Sequence, residues 1–139
     1  MKVLLDTNIL LDVLADRGSF AEPAARVFKL CEVGQLQGVV YALSIANIVY
    51  ILRRELDRSQ IGDVLEKLSA IFTIADMTAA DLKRAAKLPM QDYEDALQSA
   101  CARRIKADFI ITRNVKDFKN SRTEAITPNE LLERLSRAQ

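Results

Sequence analysis

The 139-residue chain has no histidine and no tryptophan, and only two cysteines, three prolines and four glycines. Each shortage removes a class of chemistry. Without histidine the commonest general base and the commonest transition-metal ligand are absent, so any hydrolysis must rest on carboxylates and a hard cation. Cys31 and Cys101 sit inside helix-like apolar patterns, Phe28-Lys29-Leu30-Cys31 and Ala100-Cys101-Ala102. They form neither a metal spacing nor a redox motif, and a reduced thiol in such a pattern packs as a small hydrophobe. With aromatics at 6%, no base-stacking motif is legible. No apolar run reaches the length of a membrane span, and the N-terminal run meets Asp6 too early for a signal peptide, so a cytoplasmic protein with no membrane association is expected. A formal charge of +1 gives no broadly basic surface, and any nucleic-acid role must come from local patches. What remains is ordinary globular composition, 50% apolar and 28% charged, in a length suited to one domain over residues 1–139.

Strand-like apolar runs alternate with helix-period segments, the pattern of an α/β chain with a mostly parallel sheet covered by helices. Strands are expected at Lys2–Leu5, Gly38–Ala42, Ile71–Ile74, Asp108–Ile111 and Glu124–Ile126. Helices are expected at Thr7–Ala15 and Ala21–Val33, the second closed by Gly34, whose backbone suits the left-handed position after a helix. Ser44 is placed to cap Ile45–Asp57 and Ser59 to cap Gln60–Ala70. Thr78 with Asp81 resembles a capping box before Ala79–Lys87, and Pro89 separates that helix from Gln91–Lys106. Thr127-Pro128-Asn129-Glu130 marks the last helix most clearly, with an N-cap, proline at the first helical position and Glu at the third.

The chemistry concentrates in acids. Asp6 ends the apolar run Val3-Leu4-Leu5, at the end of a buried strand where open α/β sheets place ligand sites; a carboxylate there must be paired, neutralised or bound to a cation. The competing role is a helix N-cap. Asp92 and Asp95 share a face at the start of a helix while Glu94 points elsewhere; acids in a first turn also complement the helix dipole. Small residues after Asp95 let that helix pack closely on a sheet. The run Phe109-Ile110-Ile111-Thr112-Arg113-Asn114-Val115-Lys116-Asp117-Phe118 ends a strand in a polar loop, where Asn and Asp also serve turns. Acids converging from these segments would repel one another unless a divalent cation neutralises them, and oxygen-only ligands select Mg²⁺ or Mn²⁺.

Asp6-Thr7-Asn8, Asp95-Ala96-Leu97-Gln98-Ser99-Ala100-Cys101-Ala102 and Thr112-Arg113-Asn114-Val115-Lys116-Asp117-Phe118 resemble, in order, the three blocks of the PIN domain. That resemblance implies a three-layer α/β/α sandwich around a central, roughly five-stranded sheet, and a metal-dependent ribonuclease, with many prokaryotic members serving as VapC-type toxins of toxin–antitoxin pairs. It implies Asp6, Asp95 and Asp117 as the catalytic, metal-holding carboxylates, with Thr112 and Asn114 in support. One position departs: Asn47 stands where PIN nucleases usually carry a Glu. Its amide oxygen can still bind a cation or orient a water but brings no charge, so Asp92 is the candidate for the missing acid.

Arg113 and Lys116 flank the late acid and are candidate contacts for RNA phosphates. The resemblance implies an RNA substrate, an antitoxin protein and a second copy of the chain as partners, and Ile48, Tyr50, Ile51 and Leu52, which cannot all face inward from one helix, suggest a surface for either of the last two. The alternative to a nuclease is a PIN-like module weakened by Asn47 that binds RNA or protein. A phosphotransfer enzyme using Asp6 as acceptor would want an acid where Asn8 stands.

Overall fold

The computed structural model describes residues 1–138. Five strands, β1 (Lys2–Leu5), β2 (Gln37–Tyr41), β3 (Thr73–Ala75), β4 (Phe109–Ile111) and β5 (Ala125–Ile126), form one wholly parallel sheet in the order β3-β2-β1-β4-β5. Among the described residues seven α-helices accompany them: α1 (Thr7–Leu14), α2 (Ala21–Glu32), α3 (Ala42–Leu52), α4 (Arg58–Ile71), α5 (Ala79–Ala85), α6 (Tyr93–Arg104) and α7 (Pro128–Arg137). Short 3₁₀ turns lie at Gly18–Phe20 and Val115–Phe118.

β1 is central, and its residues alternate between the two layers because successive side chains leave a strand on opposite faces. Val3 and Leu5 join one core with Ile9, Val27, Phe28, Leu68 and Leu131. Leu4 joins the other with Leu97, Cys101 and Ile110, where Ala96, Ala100 and Ala102 keep α6 close to the sheet. Burial on both faces explains why β1 reads as an unbroken apolar run. The strand order places β2 and β4 on either side of β1, so the chain's direction of winding switches there. Open parallel sheets form their ligand crevices at that switch, beyond the carboxyl ends of the strands. Asp6 follows β1 at that place, and Thr112 follows β4.

Close layer packing imposes one strict glycine. A Cβ on Gly38 would lie 2.6 Å from the Cys31 Sγ and 2.7 Å from Phe72 Cδ1. Gly38→Ala would therefore overpack this layer, at a cost of about 1–3 kcal/mol. Gly34, at φ 81°, closes α2 as its sequence position suggests.

Several boundaries differ from the sequence expectations. β2 runs into α3 without a gap, Tyr41 serving as N-cap with no side-chain capping bond. Ser44 is consequently inside the helix rather than capping it, and α3 ends at Leu52. α4 is capped by Asp57, not Ser59, through a reciprocal box with Gln60. Ile71 ends α4 instead of opening β3, which begins at Thr73. α5 stops at Ala85, and α6 begins at Tyr93 with Asp92 as its cap. The Thr78–Asp81 box and the Thr127 cap form as expected.

Candidate functional site

Asp6 caps a helix and keeps its second carboxylate oxygen turned to the neighbouring strand. Its backbone N–H donates to the Ile111 carbonyl at 2.9 Å, holding it against β4. One carboxylate oxygen, Oδ1, accepts the Thr7 N–H at 2.8 Å and caps α1. The other, Oδ2, accepts the Thr112 hydroxyl at 2.8 Å, and Thr112 Oγ1 in turn accepts the Asn114 N–H at 3.0 Å. The side chain is thus seated from two strands and a helix, and it is buried. Burial raises its pKa, the bonds from Thr112 and Thr7 oppose that rise, and the negative charges of Asp117 and Asp92 add to it.

Asp95 lies in the first turn of α6, where its backbone N–H donates to Asp92 Oδ1 at 2.9 Å. Burial, followed by the charges of Asp92, Asp6, Asp117 and Glu94, pushes its carboxyl up to about 7. Asp92, Asp95 and Asp117 line one cavity of about 480 Å³ together with Lys116, Lys119 and Asn120. Asp6, buried at its strand end, is not among the lining residues.

The remaining candidates occupy different surroundings. Asn47 is half-buried, and its amide donates to Glu94 Oε2 at 3.4 Å. Glu94, expected off the face that Asp92 and Asp95 share, is reached by the middle of α3, and its charge acts on Asp95. Ser44 accepts from both Thr7 Oγ1 and Gln98 Nε2 at 2.7 Å, linking α1, α3 and α6 beneath the site. Lys116 is exposed and lines the cavity. Arg113 does not line it. Its Nε lies 2.8 Å from Asp12 Oδ2, and its guanidinium rests 4.2 Å from the centre of the Phe20 ring. Asp12 escaped sequence reasoning because it looks like an interruption in the apolar face of α1, and its partner lies near the other end of the chain.

The donor set suits a hard divalent cation in type: oxygen ligands, a net negative charge, and a carboxyl at Asp95 that no side-chain bond neutralises. Among the described residues, however, no group of three or more His, Cys, Asp or Glu side chains forms a ready-made metal cage. Such a donor set fits Mg²⁺ or Mn²⁺ with part of its shell from water better than an ion enclosed by protein.

A family model described as PIN domain matches residues 2–116. The chain belongs to the PIN domain family. PIN domains are generally nucleases and typically use divalent metals. The fold of this PIN domain is similar to a chain of VapBC2 from Rickettsia felis bound to a DNA fragment from its promoter, with a TM-score of 0.71 at 17% identity, covering 91% of this chain and 98% of that one. It is also similar to a chain of a toxin–antitoxin complex from Klebsiella pneumoniae, with a TM-score of 0.69 at 23% identity over 91% and 97% of the two chains. VapBC-1 from nontypeable Haemophilus influenzae gives a TM-score of 0.70 at 19% identity over 93% and 99%. No curated protein matches this PIN sequence significantly.

Proposed function

We propose that this PIN domain is a Mg²⁺- or Mn²⁺-dependent endoribonuclease and the toxin of a toxin–antitoxin pair. The observation that carries the reading is the convergence of Asp95, Asp92 and Asp117 on one cavity, with Asp6 coupled to them and, among the described residues, lysines as the only cations in its wall. Acids gathered with so little compensation are unfavourable for the fold alone and suit a site whose missing charge arrives with a ligand.

Asp6, Asp95 and Asp117 would hold the cation, with Asp92 supplying the charge that Asn47 lacks. A divalent cation there supplies a Lewis acid that lowers the pKa of water and offsets charge on the phosphodiester. Thr112 and Asn114 fix the orientation of Asp6, so its free lone pairs keep one direction. Lys116 and Lys119 stand beside the acids and would hold the flanking phosphates. Asn47 donates to Glu94, whose charge adds to the negative field at Asp95.

An antitoxin partner is supported by the solved relatives, several of which are toxin–antitoxin complexes. On α3, Ile48 and Leu52 are buried while Tyr50 and Ile51 are 57% and 43% exposed. That apolar pair is the part of the helix left to cover against an antitoxin or, in a homodimer, a second copy. Among the described residues no helix is long and apolar enough to cross a membrane, and we place the reaction in the cytoplasm.

The test is cleavage of single-stranded RNA by purified protein with Mg²⁺ or Mn²⁺, against a chelator control and an Asp6→Asn variant. RNA left intact by the native protein with both metals, or cut equally by the variant, overturns the reading. Asn47 favours a second reading, a weakened module that binds without cutting. Calorimetric titration with Mn²⁺ separates the two, since heat of binding supports the nuclease and none supports the module.

A further inference from the structure

The carboxylate cavity has neighbours with which it shares wall residues. It shares Lys116 and Asp117 with a second cavity of about 420 Å³, which Asn114 also lines. The second shares Arg113 and Thr127 with a third of about 290 Å³, whose walls include Phe20, Pro23 and Asp12. The chemistry changes from one of these neighbouring cavities to the next, from acids with lysines, through Lys116 and Arg113, to an aromatic ring.

Phe20 is 49% exposed. It follows a loop in which Asp16 and Gly18 both take left-handed backbone conformations, at φ 47° and 58°. Arg113 lies against the ring, 4.2 Å from its centre, and is fixed there by Asp12, whose side chain is fully buried. The Arg113–Asp12 contact is short but not aligned as a hydrogen bond, and among the described residues neither Asp12 oxygen has another partner. The pair therefore acts as a charge clamp that keeps the guanidinium over the ring. Single-stranded RNA is bound by such planes: bases stack on aromatic rings and guanidinium groups while nearby cations follow the backbone.

We propose that Phe20 and Arg113 form a nucleobase subsite for single-stranded RNA, occupied by a base near the phosphate held at the carboxylate cavity, with Asp12 as the positioning residue for Arg113. This rests on the ribonuclease reading. It assigns Arg113 to a base plane and leaves phosphate contact to Lys116 and Lys119.

The absence of tryptophan makes the test direct, because Phe20→Trp introduces a single indole fluorophore. In an Asp6→Asn background that does not cut, a short single-stranded RNA should quench that fluorescence, and an abasic oligonucleotide of equal length should not. By fluorescence anisotropy of labelled RNA, Phe20→Ala should bind about tenfold or more weakly, while Phe20→Tyr binds as the parent does. Circular dichroism of each variant verifies folding. Native-like RNA affinity in Phe20→Ala, with an indole unaffected by RNA, overturns the subsite and leaves the ribonuclease reading standing. No RNA binding by the parent in anisotropy overturns both.

Discussion

Asp81 and the acids around Asp95 lie on one scaffold, and the protein treats them in opposite ways. Asp81, at the start of α5, accepts from Arg104 at 2.9 and 3.0 Å, from the Tyr41 hydroxyl at 2.9 Å and from the Thr78 N–H at 3.3 Å. Burial would raise its pKa, but the bonds from Arg104, Tyr41 and Thr78 outweigh burial and hold it below the ordinary carboxylate range. Asp95 is also partly buried, yet its charged neighbours are Asp92, Asp6, Asp117 and Glu94, and it is pushed up to about 7. Arg104 compensates one acid, whereas among the described residues nothing of positive charge is bonded to the other. The contrast separates an acid that completes the fold from one that the fold leaves incomplete.

The largest expected difference is in activity. Asp6→Asn should lower RNA cleavage by roughly 10²–10³-fold with little change in melting temperature, because Asn caps a helix as well as Asp; gel-based cleavage and thermal unfolding check the pair. Asp81→Asn should do the reverse, costing about 3 kcal/mol by leaving Arg104 without its charge partner, measured by urea unfolding. Next in size is the cation. Mg²⁺ at about a hundred times its dissociation constant should stabilise the native protein by about 2.7 kcal/mol, an effect that Asp95→Asn should reduce and Asp81→Asn should leave intact in differential scanning calorimetry.

The smallest effect has the clearest sign. Between 3.8 and about 7 the folded protein keeps a proton on Asp95 that the unfolded chain releases. This group therefore favours folding at low pH, and its contribution disappears as pH rises through about 7. Asp81, with its pKa lowered, contributes stability above 3.8 that is lost as pH falls through its folded value. In chelator, Asp95→Asn should raise the melting temperature by a few degrees at about pH 8 and by clearly less at about pH 5, the difference vanishing only below 3.8. Equal shifts at both values would break the distinction between the two acids.

The sequence carried the frame of this comparison better than its details. Strands buried on both faces are continuous apolar runs, so β1 and its terminal Asp6 were legible, as were Asp95 and Asp117 through their motif blocks. Two caps with a side chain three residues from its partner, Thr78 with Asp81 and Thr127 with Glu130, were legible locally, whereas Asp57 with Gln60, at the same spacing, was passed over for Ser59. Ser44 misled because a strand can enter a helix directly, and the serine then serves Thr7 and Gln98 instead of its own backbone. Asp92 keeps its place beside the site but spends one oxygen as a cap. Asp12–Arg113, Asn47–Glu94 and Asp81–Arg104 were not legible, since each joins residues far apart in sequence that only the packed layers bring together.

The seat of Asp6 has a consequence for the order in which the molecule is made. Besides the local bond from Thr7, the bonds that hold it run to Ile111 and Thr112, the latter 106 positions later in the chain. During synthesis from the N-terminus, Asp6 emerges early and waits, unseated, until β4 has been translated and has docked beside β1. Asp95 emerges before β4 as well. A truncated or stalled chain ending before Ile111 therefore carries two of the proposed catalytic acids without the geometry that joins them, and the site is assembled only by the strand that is translated after both.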